Sequence, residues 1–292
     1  MDDNDKPNNL FEIDVYEKWK SLDITDNFCF QAVMQNPGIC KEFIEKAFEI
    51  KLLGLHRPEN EKSIAKRRDR KSIRLDVYAE DDVNNPFDLE MQTVRSTDDL
   101  KKRIRYYGDL IDLNMLQPGL PYSSLANAGI MFICPFDPFG DDEKKYTFVN
   151  VCQETGRKMD DGVTKIFLNA KGTRGRVHPD IQDFFNYMLG SHPKSGMTKR
   201  MHDELTRVKN SEEWRMEYMT WEMELLEQKR RSMEEGRKEG RKEGQIEGRK
   251  AGVLSATINM LRERIPYDTI SRVSNYPIEE IEKIAKEHGL AY

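Results

Sequence analysis

The residues from Ile73 to Gln92 constrain this chain more than any others. Ile73, Leu75, Val77 and Ala79 alternate with Arg74, Asp76, Tyr78 and Glu80; past a turn-forming DDVNNP, Phe87, Leu89 and Met91 alternate with Asp88, Glu90 and Gln92. A period of two marks a strand with unlike faces, and two such runs about a turn predict a hairpin. Folding it about Val83 sets Asp76 opposite Glu90, both on the face away from the apolar residues. Gln92 follows two residues along that face, roughly 7 Å from Glu90 at the usual strand rise. Two carboxylates this close repel each other unless a cation lies between them. Oxygen ligands of this kind suit Mg²⁺, which takes one or two carboxylates and keeps water or phosphate in its other positions.

Asp76, a hairpin and then Glu90-Met91-Gln92 resembles the PD-(D/E)XK nuclease signature in its E-x-Q form. The longer run RLDVYAEDDVNNPFDLEMQTVRSTDDLKKRIRYYGDLID is similar to the Rpn family of recombination-promoting nucleases and transposases. The similarity continues through LQPGLPYSSL, GIMFICPFDPFG, YTFVNVCQE and TKIFLNAKG, covering about Leu22 to Leu189. The resemblance implies an α/β fold with a restriction-endonuclease-like core, a central mixed sheet flanked by helices. It also implies a metal-dependent DNA endonuclease acting on double-stranded DNA in recombination or transposition. Asp76, Glu90 and the main-chain carbonyl of Met91 are then expected to hold Mg²⁺, with Mn²⁺ as the alternative, while Gln92 orients the attacking water. In the superfamily an acidic residue of the first helix can join the metal site. Glu45 is the choice by resemblance, although Glu42, Glu45 and Glu49 together read equally as an exposed charged face. The superfamily commonly has lysine where Gln92 stands, so that positive charge is missing here. Arg103 and Tyr106 match the family's R-x-x-Y run and are the candidates to meet the scissile phosphate.

At 292 residues the chain fits one substantial domain with extensions, or two domains. Charged residues make up 34%, above the usual quarter, against 37% hydrophobic, so part of the chain is expected outside a compact core. A net charge of −5 argues against a protein that coats DNA, but the charge is unevenly spread. Residues 61–74, EKSIAKRRDRKSIR, hold seven Lys or Arg and lead directly into the Asp76 strand. Such a run reads either as a solvated connector or as an arm that contacts phosphate through Arg67, Arg68, Arg70 and Lys71. A second basic group, Lys101, Lys102, Arg103 and Arg105, opens the helix after the hairpin, with Ser96 or Thr97 as its cap. Lys102, Arg103 and Tyr106 are its DNA-contacting candidates; the competing reading pairs the basic residues with Asp98, Asp99 and Asp109. No run approaches the 18 or so apolar residues of a membrane span, and the acidic start lacks a signal-peptide pattern, so a cytoplasmic location is expected. The four cysteines are too scattered for a zinc knuckle and read as reduced core thiols; the five histidines show no ligand spacing.

Four segments are expected: a tail at 1–21, the nuclease-like domain at 22–190, a linker and charged helix at 191–252, and a small helical module at 253–292. Within the domain, Thr25-Asp26 caps a helix, and Pro37-Gly38 precedes another on Ile39, Phe43, Ala47 and Ile50. Strands are expected at 128–135, 146–152 and 164–169, with Tyr146, Phe148 and Phe167 in the core, then a helix on Ile181, Phe184, Phe185, Met188 and Leu189. Beyond SHPKSGMTK, Met216, Met219, Met223 and Leu226 follow a coiled-coil-like spacing. Gly236, Gly240, Gly244, Gly248 and Gly252 then recur every four residues between charged ones, which excludes a membrane helix. Each glycine costs about 0.8–1.0 kcal/mol against alanine, so either a second helix packs closely here, making the chain a homo-oligomer, or the segment is a solvated spacer. A chain that keeps the fold but cleaves weakly, serving as a DNA-binding or oligomerising adaptor, is the rival reading.

Overall fold

The computed structural model describes residues 10–56, 58–64, 73–92 and 99–291. Three helices come first: α1 (Leu10–Ser21), α2 (Asn27–Met34) and α3 (Pro37–Phe48). Asp26 caps α2 by accepting from the N–H groups of Phe28 and Cys29, as its place before the apolar run predicts. Strand β1 (Glu59–Ile64) follows, then β2 (Ile73–Glu80) and β3 (Pro86–Met91). The predicted hairpin is present, with Val77 opposite Leu89 and Tyr78 opposite Asp88, but the expected alternation breaks before Val77: Leu75 packs with Tyr78 in one core while Val77 and Ala79 belong to the other. Its turn is tied by Asp81, whose carboxylate accepts from the N–H groups of Val83 and Asn85 at 3.0 and 2.8 Å. Asn84 takes the left-handed conformation there (φ 62°), which asparagine tolerates.

Helix α4 (Leu100–Met115) leads to β4 (Ala128–Cys134), β5 (Lys145–Phe148) and β6 (Val163–Asn169). The six strands form one mixed sheet in the order β1-β2-β3-β4-β6-β5, with β3, β4 and β6 parallel and the outer pairings antiparallel. One face, with Val77, Leu89, Met91, Met131 and Ile133, packs into a core with Phe30, Phe43 and Phe184. On the other face Tyr78, Ile130, Phe132 and Phe167 meet Ile104, Tyr107 and Ile111 of α4. The hairpin's polar face is therefore covered by a helix, and not open as its alternation suggests.

Helix α5 (Pro179–Met188) closes the first layer together with α6 (Gly196–Lys209). The linker expected after residue 190 runs into α6, whose Met197, Met201 and Leu205 belong to the core. Their four-residue spacing was hidden among charged neighbours. Helix α7 (Glu212–Arg262) is 51 residues long, followed by α8 (Tyr267–Ser274) and α9 (Ile278–Glu287). The chain divides into two compact units, Met1–Thr220 and Trp221–Tyr292. In the first, Tyr218 at the start of α7 stacks with Trp19 and Phe28, at 5.2 Å from each ring. In the second, Leu261, Ile270, Ile281 and Ile284 form a small core of their own.

Several expectations shift by a few residues. The strand read at 146–152 ends at Phe148, which is 43% exposed and not core. Ile50 and Leu189, assigned to apolar stripes, are also exposed, and so is Cys152, which lies beyond the end of β5, whereas Cys29, Cys40 and Cys134 are buried as expected. Asp99 itself caps α4, accepting from the N–H groups of Lys101 and Lys102; Ser96 and Thr97 lie outside the described residues.

Candidate active site

Past the Val77–Leu89 pair, side chains take over the bonding between the two strands. The N–H of Asp76 donates to Glu90 Oε1 at 2.9 Å, and the N–H of Met91 donates to Asp76 Oδ2 at 3.0 Å. Each carboxylate thus accepts from the other's strand, a reciprocal brace that fixes both where the ladder ends. The second oxygen of Asp76 accepts from Gln31 Nε2 at 3.2 Å. Gln31 is buried on α2, among Phe30, Val33 and Met34. The Met91 side chain lies in the core, so a ligand from that residue can only be its main-chain carbonyl.

Helix α4 supplies the other half of the site. Arg103 donates from Nη1 to Gln92 Oε1 at 3.0 Å, and from Nη2 to Glu90 Oε2 at 3.3 Å and the Tyr107 hydroxyl at 3.0 Å. Its guanidinium carbon lies 5.4 and 5.3 Å from the rings of Tyr107 and Phe132, within cation–π range. Arg103 and Tyr107 are four residues apart, so one face of α4 presents both to the sheet. Gln92 itself is 7% exposed, and its N–H donates to Ile133 O at 2.9 Å, extending the sheet by one residue.

Asp88 is a member of this face that sequence reasoning passed over. It is fully buried, and neither carboxyl oxygen accepts a hydrogen bond from a donor among the described residues. Glu90, 2% exposed, stands two residues on. Burial, reinforced by the charge of Asp76, holds the carboxyl groups of both Asp88 and Glu90 well above the ordinary carboxylate range. Burial likewise pushes the Tyr107 hydroxyl up to about 12. Arg103 resists the same burial, because Tyr107, Glu90 and Asp76 raise its affinity for its proton.

Asp76, Glu90, Gln92 and Arg103 are therefore brought together. Glu45 is not brought to them: its carboxylate accepts from Leu52 N–H at 2.9 Å and lies 3.9 Å from Lys41. From the first helices Gln31 does touch Asp76, and an uncharged side chain in an apolar stretch gave no signal of that. Lys102 is exposed and pairs with Asp99 at 3.3 Å, while Tyr106 packs at the edge of the α4 core. Arg67, Arg68, Arg70 and Lys71 lie outside the described residues. Residues 61–64 of the basic run belong to β1, the edge strand paired with β2. That strand was missed because ENEKSI has no apolar alternation.

Among the described residues no group of three or more His, Cys, Asp or Glu side chains is gathered as a metal cage. Two braced carboxylates, a main-chain carbonyl and the unbonded acid group of Asp88 nevertheless fit a hard cation, since Mg²⁺ commonly relies on few protein ligands and completes its shell with water and phosphate. A mixed sheet covered on both faces, with an acid pair where the β2–β3 ladder ends and glutamine two residues past the second acid, defines a nuclease-type α/β fold. A family model described as PD-(D/E)XK nuclease family transposase matches residues 30–245. The chain belongs to that family, and the resemblance to the Rpn proteins fits it. No curated protein and no solved structure matches the chain.

Proposed function

We propose that this protein is a divalent-metal-dependent endonuclease acting on double-stranded DNA in recombination or transposition. The reading is carried by one observation: Asp76 and Glu90 brace each other where the β2–β3 ladder ends, with Gln92 tied to Arg103 beside them. Asp76, Glu90 and the Met91 carbonyl would hold the ion, Mg²⁺ or Mn²⁺. When bound, such an ion polarises a phosphate and lowers the pKa of a coordinated water. Gln92, with its oxygen fixed by Arg103, has its amide N–H groups to orient that water and no capacity to deprotonate it. Arg103 supplies the permanent positive charge near the acids that lysine provides elsewhere in the superfamily. Lys102, Tyr106 and the basic run with Arg67, Arg68, Arg70 and Lys71 would track the DNA backbone.

The test is nicking of supercoiled plasmid with Mg²⁺ and with EDTA. Wild type is expected to nick only with Mg²⁺, and Asp76→Ala and Glu90→Ala to lose at least about 100-fold in rate while staying folded by circular dichroism. Nicking by either variant at the wild-type rate would refute the assignment, and a wild type that binds DNA without cutting it would favour the adaptor reading. Among the described residues no helix is long and apolar enough to cross a membrane; a cytoplasmic location belongs to the proposal.

Self-association through α7 is part of the same reading. A methyl group built on each of Gly236, Gly240, Gly244, Gly248 and Gly252 meets nothing within 4 Å. Packing among the described residues therefore gives no reason for glycine there, whereas close approach of a second copy would. Two copies would carry two sites, one for each strand of a duplex.

A further inference from the structure

Arg103 occupies the oxygen that an incoming cation would contest. Glu90 Oε1 is taken by the Asp76 N–H at 2.9 Å, and Glu90 Oε2 by Arg103 Nη2 at 3.3 Å. A divalent ion at Glu90 would lie a few ångströms from the guanidinium, with Glu90 almost fully buried, where like charges repel far more strongly than in water. Arg103 is also built to let go without being lost. The Tyr107 hydroxyl and the rings of Tyr107 and Phe132 hold it independently of Glu90. Three hydrogen bonds leave part of its five-donor fork for another acceptor.

Resting on the endonuclease reading above, we propose that Arg103 is an exchangeable hydrogen-bond partner of Glu90, displaced by the divalent cation and thereby released to a DNA phosphate. Metal and DNA then bind cooperatively through one side chain: the ion removes the partner that competes with phosphate, and phosphate removes the charge that opposes the ion. The coupling is reciprocal, so each ligand tightens the other by the same factor. An arginine suits this exchange better than a lysine, since its planar fork bridges Glu90 and Gln92 at once and matches phosphate oxygens equally well.

The experiment is calorimetric titration of the full-length protein with Mn²⁺, with and without a phosphorothioate DNA duplex that resists cleavage. Without DNA, Arg103→Gln is expected to bind Mn²⁺ about tenfold more tightly than wild type. Saturating duplex should tighten Mn²⁺ binding in wild type by about tenfold more than it does in the variant. Equal or weaker Mn²⁺ binding by a folded R103Q, or an unchanged response to DNA, overturns the exchange. Should R103Q fail to fold, wild type alone decides: Mn²⁺ affinity that does not respond to the duplex overturns the proposal. Asp76→Ala separates the levels. Its loss of Mn²⁺ binding alongside an untightened R103Q sinks the exchange alone, whereas undiminished binding by D76A sinks the metal site beneath it.

Discussion

Asp88 is buried beside Glu90 with no N–H or O–H bonded to its carboxyl group among the described residues, and Glu90 can offer it a bond only if one of the two carries a proton. The raised pKa of both groups fixes the sign of the pH effect. Below the carboxylate range of the unfolded chain, about pH 4, both states are protonated and the contribution is fully present. As pH rises from there through the raised folded-state values, the native state holds protons that the unfolded chain has released, so this stability is lost. We expect Asp88→Asn to raise stability at neutral and alkaline pH by about 1–3 kcal/mol, the cost of an unsatisfied buried group, and to flatten the fall of Tm with pH when no divalent ion is added. Thermal denaturation across pH checks this; a variant with an unchanged slope would contradict it. The closeness of the acid pair was legible, because the turn fixes which residues of the two strands lie opposite; the side that Asp76 takes was not, since the alternation of β2 breaks between Leu75 and Val77 and Asp76 meets Gln31 of α2. What Asp88, Gln31 and Tyr107 contribute was not, since each depends on which helix covers which face, and local periodicity carries no such information.

At the scale of elements, the hairpin and the amphipathic α5 were readable from their apolar period, and β4 because AGIMFICP is a nearly unbroken apolar run of strand length. β1 escaped because an edge strand can be built from ENEKSI through main-chain pairing with β2 alone. α6 escaped because a narrow stripe of Met197, Met201 and Leu205 was enough to anchor a helix otherwise covered in charge. α7 holds the sharpest test. Its five glycines lose roughly 4–5 kcal/mol of helix propensity against alanine, and nothing within 4 Å of the built methyl positions opposes a side chain. Replacing all five by alanine should therefore raise helicity in circular dichroism. If a second copy packs against them, light scattering should show the same substitution weakening self-association. Full-length wild type that scatters as a monomer at micromolar concentration would contradict the pairing and leave the glycines as a tether.

For the molecule as a whole, the family match over residues 30–245 and the mixed sheet agree on a nuclease-type core, and it continues past residue 190 through α6 to the start of α7. The sequence reading ended the core at residue 190 because SHPKSGMTK looks like a linker until its buried Met197 is seen. Everything proposed about activity rests on a cation held between the start of β2 and the end of β3. Diffraction from crystals of the full chain soaked in Mn²⁺, collected at a wavelength where manganese scatters anomalously, measures that position without reference to turnover. The expected result is an anomalous peak flanked by the carboxylates of Asp76 and Glu90 and the carbonyl of Met91, with Arg103 withdrawn from Glu90. A peak only at other residues, or none there with Mn²⁺ in excess, would contradict the metal site.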